Sequence, residues 1–196
     1  METIKPFEAL CEPDERQQHF GVRDVKTGAI RKLQESDIYS RAAAIRLHPG
    51  VPEDIRSHFA TSLNLLAYSW YSYPFNVTAQ FMAYVSVEYA LKVRFPSTKE
   101  QKFRALVKRA IAEGLIQDSG FSHLATQDRD LGITNVAPPM FIPAERPYVE
   151  VLLETMPSLR NNLAHGSNTL HMNGASSVQI CADFINQLFP SPDNAG

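Results

Sequence analysis

At 196 residues, 44% hydrophobic and 20% charged, the chain can bury a core of its own as one domain with a modest extension. A net charge of −2 excludes a global basic field, so any nucleic-acid contact must come from a local patch. Cys11 and Cys181 are too few and too far apart for a disulfide framework or a metal motif, and read as reduced thiols.

The first residues, Met1-Glu2-Thr3-Ile4-Lys5-Pro6, lack the apolar run of a signal peptide. No stretch reaches the ~18 apolar residues that span a bilayer. The expectation is a cytoplasmic protein without membrane contact. Residues 1–50 differ in pattern from the rest and form an extension. Within it, residues 20–25 and 30–33 flank Lys26-Thr27-Gly28, a β-hairpin signal with Gly28 in a left-handed turn position. A short helix follows Ser36, and residues 48–52 (His-Pro-Gly-Val-Pro) break the chain.

From Pro52 the pattern is helical. Glu53 and Asp54 suit a helix N-terminus, and Ile55, Phe59, Leu63, Leu66 and Trp70 repeat at threes and fours. Tyr73-Pro74 is expected to end this helix and Asn76 to cap the next. That second helix runs to about Phe95 and is apolar almost all round, as the centre of a bundle would be. Ser97-Thr98-Lys99-Glu100 reads as a capping box for a third helix carrying Phe103, Leu106, Val107, Ala110 and Ile111, with Gly114 as its stop. Residues 118–144, rich in glycine and proline, read as a long functional, partner-bound or mobile loop. A fourth helix starts near Glu145, where Pro157 either kinks it or starts another helix. A last helix spans about Ser176 to Leu188. The predicted fold is an all-α antiparallel helical bundle over residues 51–190, with the small extension before it and a frayed tail at 191–196.

The segment with most chemistry is Leu159-Arg160-Asn161-Asn162-Leu163-Ala164-His165-Gly166. At about 100° per residue, Leu159 and Leu163 share one side of a helix, expected to face the core. Arg160, Asn161, Ala164 and His165 fall on the opposite arc. Histidine exchanges protons near neutral pH, and arginine offers a fixed, forked charge matched to phosphate oxygens. Gly166 is a natural helix stop, and the negative helix end favours an imidazolium at His165. From helix physics alone, two solvated polar residues before a capping glycine are the better explanation of the segment.

The string Arg160-Asn161-Asn162-Leu163-Ala164-His165 resembles the arginine–polar–three residues–histidine motif of HEPN domains, and its place late in a helical domain agrees. The resemblance covers roughly residues 52–190. It implies a metal-independent endoribonuclease acting as a homodimer, with two motifs facing each other across a cleft. In that reading His165 handles the proton, Arg160 binds phosphate and Asn161 orients the histidine or the phosphate, with Asn162 in support. No cofactor or metal is implied. RNA is the expected substrate, and an antitoxin or nucleotidyltransferase-type protein the expected partner, in toxin–antitoxin or phage-defence roles. Other members only bind RNA, a nucleotide or a protein. A helical interaction module with no nucleic-acid role is the third reading.

Glu88 shares an apolar stripe with Phe81, Tyr84, Val85, Leu91 and Phe95, so its carboxylate needs a partner. Pairing with Arg160 or His165 would make it part of the site. Pairing with Arg94 or a tyrosine would make it structural. Lys99, Lys102, Arg104, Lys108 and Arg109 form either a phosphate-binding face or an ordinary solvated one. His171 lacks the companions a metal site needs.

Overall fold

The computed structural model describes residues 3–24, 26–125, 146–166 and 174–191. The protein is an all-α bundle preceded by a two-stranded antiparallel hairpin. Short 3-10 turns at Phe7–Ala9 and Glu15–His19 come first. Strands β1 (Gly21–Arg23) and β2 (Ile30–Lys32) follow, with Val22 opposite Arg31. Gly28 takes φ +71° in the turn between them, the left-handed conformation expected there. Next come α1 (Glu35–Ala44), α2 (Glu53–Tyr68), α3 (Phe75–Arg94) and α4 (Phe103–Ala112). After a 3-10 turn at Asp118–Gly120 and the single turn α5 (Ser122–Ala125), the chain ends in α6 (Tyr148–Ala164) and α7 (Gly174–Leu188).

The centre of the bundle is α3, which packs on α2 and α7 and also touches α4 and α6. Small residues make this possible. Ala79, Ala83 and Ala90 are wholly buried along α3, so neighbouring backbones approach closely. At the start of α7, a Cβ on Gly174 would sit 2.9 Å from Asn76 Oδ1, so only glycine fits against α3 there. The periodic faces read from sequence enter this core. Ile55, Phe59 and Leu66 of α2 are buried, as are Phe103, Leu106, Val107 and Ala110 of α4. Val178, Cys181, Phe184, Ile185 and Leu188 of α7 are buried as well. No helix among the described residues is long and apolar enough to cross a membrane.

Several boundaries differ from the sequence reading, each for a local reason. Helix α2 ends at Tyr68, before Tyr73-Pro74, and Ser69 Oγ donates back to the Leu66 carbonyl. Asn76 does not cap α3. It lies inside the first turn, where its Nδ2 donates to the Tyr73 carbonyl at 3.1 Å. The Ser97–Glu100 capping box is not formed: Ser97 Oγ accepts from the Lys99 amide, and α4 begins only at Phe103. Gly114 does stop α4, with φ +72°. Pro157 lies within a continuous α6 rather than starting a new helix.

Two remote carboxylates close gaps that local sequence leaves open. The Asp118 carboxylate accepts the amides of Tyr148 and Val149 at 2.9 Å each, capping α6 from 30 residues away. Buried Asp14 accepts the Tyr73 amide at 2.9 Å and a two-pronged Arg16 guanidinium at 2.8 and 2.9 Å. It thereby fastens the N-terminal segment to the corner between α2 and α3, assisted by Gln17 Nε2 donating to the Ser69 carbonyl. Burial alone would raise the Asp14 pKa, but the Arg16 bond and the Tyr73 and Arg16 amides overrule it and hold it at about 2.

Two consequences follow for stability. Asp118→Ala strips two helix amides of their acceptor and should cost about 1 kcal/mol by denaturant unfolding; an unchanged midpoint would contradict the cap. Asp14 sits lower folded than its ordinary 3.8, so its contribution is complete above that value and lost as pH falls towards about 2. Thermal unfolding of the wild type should therefore weaken more steeply below pH 4 (roughly) than that of Asp14→Asn.

Candidate functional site

Helix α6 is oriented by one stripe. Tyr148, Leu152 and Met156 recur every four residues and are buried. The next step of four leads to Arg160, and a step of three from there to Leu163, both half-buried. Arg160 is thus the polar continuation of the inward face, not part of the outward arc. Leu159, expected to face the core, is instead one of the exposed large hydrophobics at 36%. The leucine pair set the wheel off phase because Leu163 packs inward and Leu159 does not.

The inward turn of Arg160 brings it to α3. Its Nη2 lies 2.9 Å from Glu88 Oε2, with the two side chains 30% and 13% exposed. Glu88 Oε1 accepts Lys92 Nζ at 2.7 Å, one turn along α3. Glu88 therefore takes the partner that makes it part of the site, and neither Arg94 nor a tyrosine holds it. The approach of Arg160 is close but off-axis: Glu88 Oε2 receives no well-angled hydrogen bond, and Arg160 Nε is buried without a hydrogen-bond partner among the described residues. The pair is a charge contact that leaves guanidinium N–H capacity unused. The long hydrogen bond from Arg160 Nη1 to Asn161 Oδ1, 3.4 Å, ties Asn161 to the arginine rather than to the histidine.

His165 closes the helix. Its amide donates to the Asn161 carbonyl at 2.9 Å, the Gly166 amide to the Leu163 carbonyl at 3.2 Å, and Gly166 turns with φ +81°. The His165 side chain is exposed, as are Asn161, Asn162 and Ala164. Arg160 and His165 are on the same helix end, with Arg160 turned to α3 and His165 turned to solvent. The structure shows no contact between their side chains. Among the described residues no group of three or more His, Cys, Asp or Glu converges as a metal site. His171 and most of the 118–144 loop lie outside the described residues. Of the basic α4 residues, Arg109 pairs with Glu113 at 2.7 Å and lies over the Phe95 ring at 4.3 Å, so it is occupied structurally. Lys108 and Arg104 are exposed.

Sequence reasoning favours a solvated helix position for Lys92 over a place lining the same cleft, although its spacing of four from Glu88 is the usual signal for the helical ion pair that forms. It missed the phase of Arg160, for which Leu152 and Met156 were the available signal. Comparison with known proteins adds nothing to this geometry: no family model, curated protein or solved structure matches the chain.

If the Glu88–Arg160 contact is energetically real, a double-mutant cycle with Glu88→Gln and Arg160→Met should return a coupling of about 1 kcal/mol by denaturant unfolding. Additive effects would show that the two merely lie side by side.

Proposed function

We propose that the protein is a metal-independent endoribonuclease of HEPN type, working through Arg160 and His165 at the end of α6. What supports this reading is the division of labour on that helix end. The imidazole is open to solvent, and beside it a guanidinium is held by Glu88 with an N–H still unused. The ribose 2′-hydroxyl loses its proton and forms a bond to phosphorus, while the bond to the 5′-oxygen breaks. The products are a 2′,3′-cyclic phosphate and a 5′-hydroxyl that takes up a proton. Arg160 offsets charge on the phosphate oxygens, and its fixed charge needs no metal to do so. Asn161 keeps the arginine in place, and Asn162 lines the same exposed end.

The reaction needs one group to accept a proton and one to donate it. Among the described residues a single histidine, His165, lies at this end, on an exposed surface. Two copies facing each other supply both, so the active form in this proposal is a homodimer. An antitoxin or nucleotidyltransferase-type protein that covers the same face would silence it. The alternative, a module that binds RNA, a nucleotide or a protein without cleaving, is favoured by one observation: Glu88 already compensates part of the Arg160 charge.

Purified protein incubated with mixed RNA in EDTA decides between these. The enzyme reading predicts cleavage with cyclic-phosphate ends, and Arg160→Ala and His165→Ala each should lose about 100-fold or more in rate. Equal, intact RNA with wild type and both variants would overturn it, and tight binding without cleavage would establish the alternative.

A further inference from the structure

A second polar feature lies away from α6, where the N-terminal segment meets the bundle. A cavity of about 70 Å³ opens there, lined by Phe20, Leu33, Ile38, Leu66 and Tyr73 together with Arg41. It has room for roughly five water molecules or a ligand of that size. Its walls come from the hairpin region, α1, α2 and the corner leading into α3, so an occupant would touch both parts of the chain. Arg41 is the only charged side chain lining it among the described residues.

Arg41 is uncompensated. Its Nε is buried without a hydrogen-bond partner, and no ion pair to it forms among the described residues. The carboxylate best placed by sequence, Asp37 one turn earlier on α1, is already committed. Both its oxygens accept the Arg31 fork at 2.7 Å, and Oδ2 also accepts the Gln34 amide at 2.9 Å. Each side-chain amide at the cavity spends an N–H within the protein: Gln17 Nε2 on the Ser69 carbonyl and Asn76 Nδ2 on the Tyr73 carbonyl. Burial works against the charged guanidinium and pushes its pKa down, with distant help from Asp37 in the opposite direction. An arginine stays protonated under such pressure, so a half-buried cation whose Nε–H has no acceptor gains a charge-assisted bond when an anion enters the cavity.

We infer that this cavity binds a small aliphatic carboxylate, with Arg41 gripping the carboxylate and the apolar walls holding a short hydrocarbon body. The lining dictates the class. One cation matches one negative charge, and the guanidinium fork fits a carboxylate through two parallel hydrogen bonds. A phosphate dianion would need a second cation that the lining lacks. The volume limits the body to a few carbons. Because the site bridges the N-terminal segment and the bundle, its occupation stabilises their docking by mass action.

The test uses the full chain with sodium butyrate, against n-butanol, butylamine and inorganic phosphate. Butyrate should raise the unfolding temperature saturably and shift the Arg41 Nε–H resonance, while the three controls do neither. Arg41→Met should leave the unliganded unfolding temperature near that of the wild type, because the half-buried guanidinium makes no ion pair among the described residues, and should weaken butyrate binding by about 10-fold or more. Arg41→Lys should retain part of the binding. The inference is overturned if butyrate gives no saturable response, if phosphate binds as tightly, or if Arg41→Met binds butyrate unchanged. The Arg41 resonance in wild type decides the matter should Arg41→Met fail to fold.

Discussion

The central position of α3 is the constraint on which the other features depend. A helix packed by α2 and α7 and touched by α4 and α6 has few places for a polar side chain. Its small residues, Ala79, Ala83 and Ala90, let the neighbours close in. Asn76, Gln80 and Ser86 are buried there, and Glu88 is the one acid on that helix, its side chain only 13% exposed, where a carboxylate requires cations. Lys92 supplies one from the same helix and Arg160 the other from α6. The rotation of α6 that buries Leu152 and Met156 is the same rotation that delivers Arg160 to Glu88. Core packing and the candidate site are therefore set by one choice of helix phase.

That choice divides the end of α6. Arg160 is held on the inward side, and His165 is left on the outside at a helix terminus closed by Gly166. Neither residue has the other as a partner within the chain. The proposed chemistry depends on this openness, because a face that is incomplete on one chain can be completed by another molecule. Away from this end, the N-terminal segment is fastened by Asp14 and Gln17 to the corner between α2 and α3, and Arg41 faces the cavity that remains there.

Much of the fold was legible because burial leaves a periodic trace. The spacing of Ile55, Phe59 and Leu66 marks α2, and that of Val178, Cys181, Ile185 and Leu188 marks α7. Gly28 and Gly114 mark turns because each takes a positive φ. The features that escaped are long-range or competitive. Asp118 caps a helix from 30 residues away, and nothing in the local pattern of either segment announces it. Ser97 looked like a cap but spends its hydroxyl on the nearby Lys99 amide. At the candidate site the residue types were readable, and so was the need of Glu88 for a partner, although the sequence left Arg160, His165, Arg94 and a tyrosine open and packing selects Arg160. The direction of Arg160 was not, because Leu159 and Leu163 compete with Leu152 and Met156 to set the wheel, and tertiary packing chooses the second pair.

The account stands on one claim, that the end of α6 receives a phosphodiester between Arg160 and His165. Titrating the protein with a short RNA whose 2′-hydroxyls are methylated, and so cannot attack, tests this directly by NMR. The account predicts that the Arg160 Nε–H and His165 ring resonances move together and saturate at one RNA concentration. Movement confined to other resonances, with these two unchanged at saturation, would contradict it.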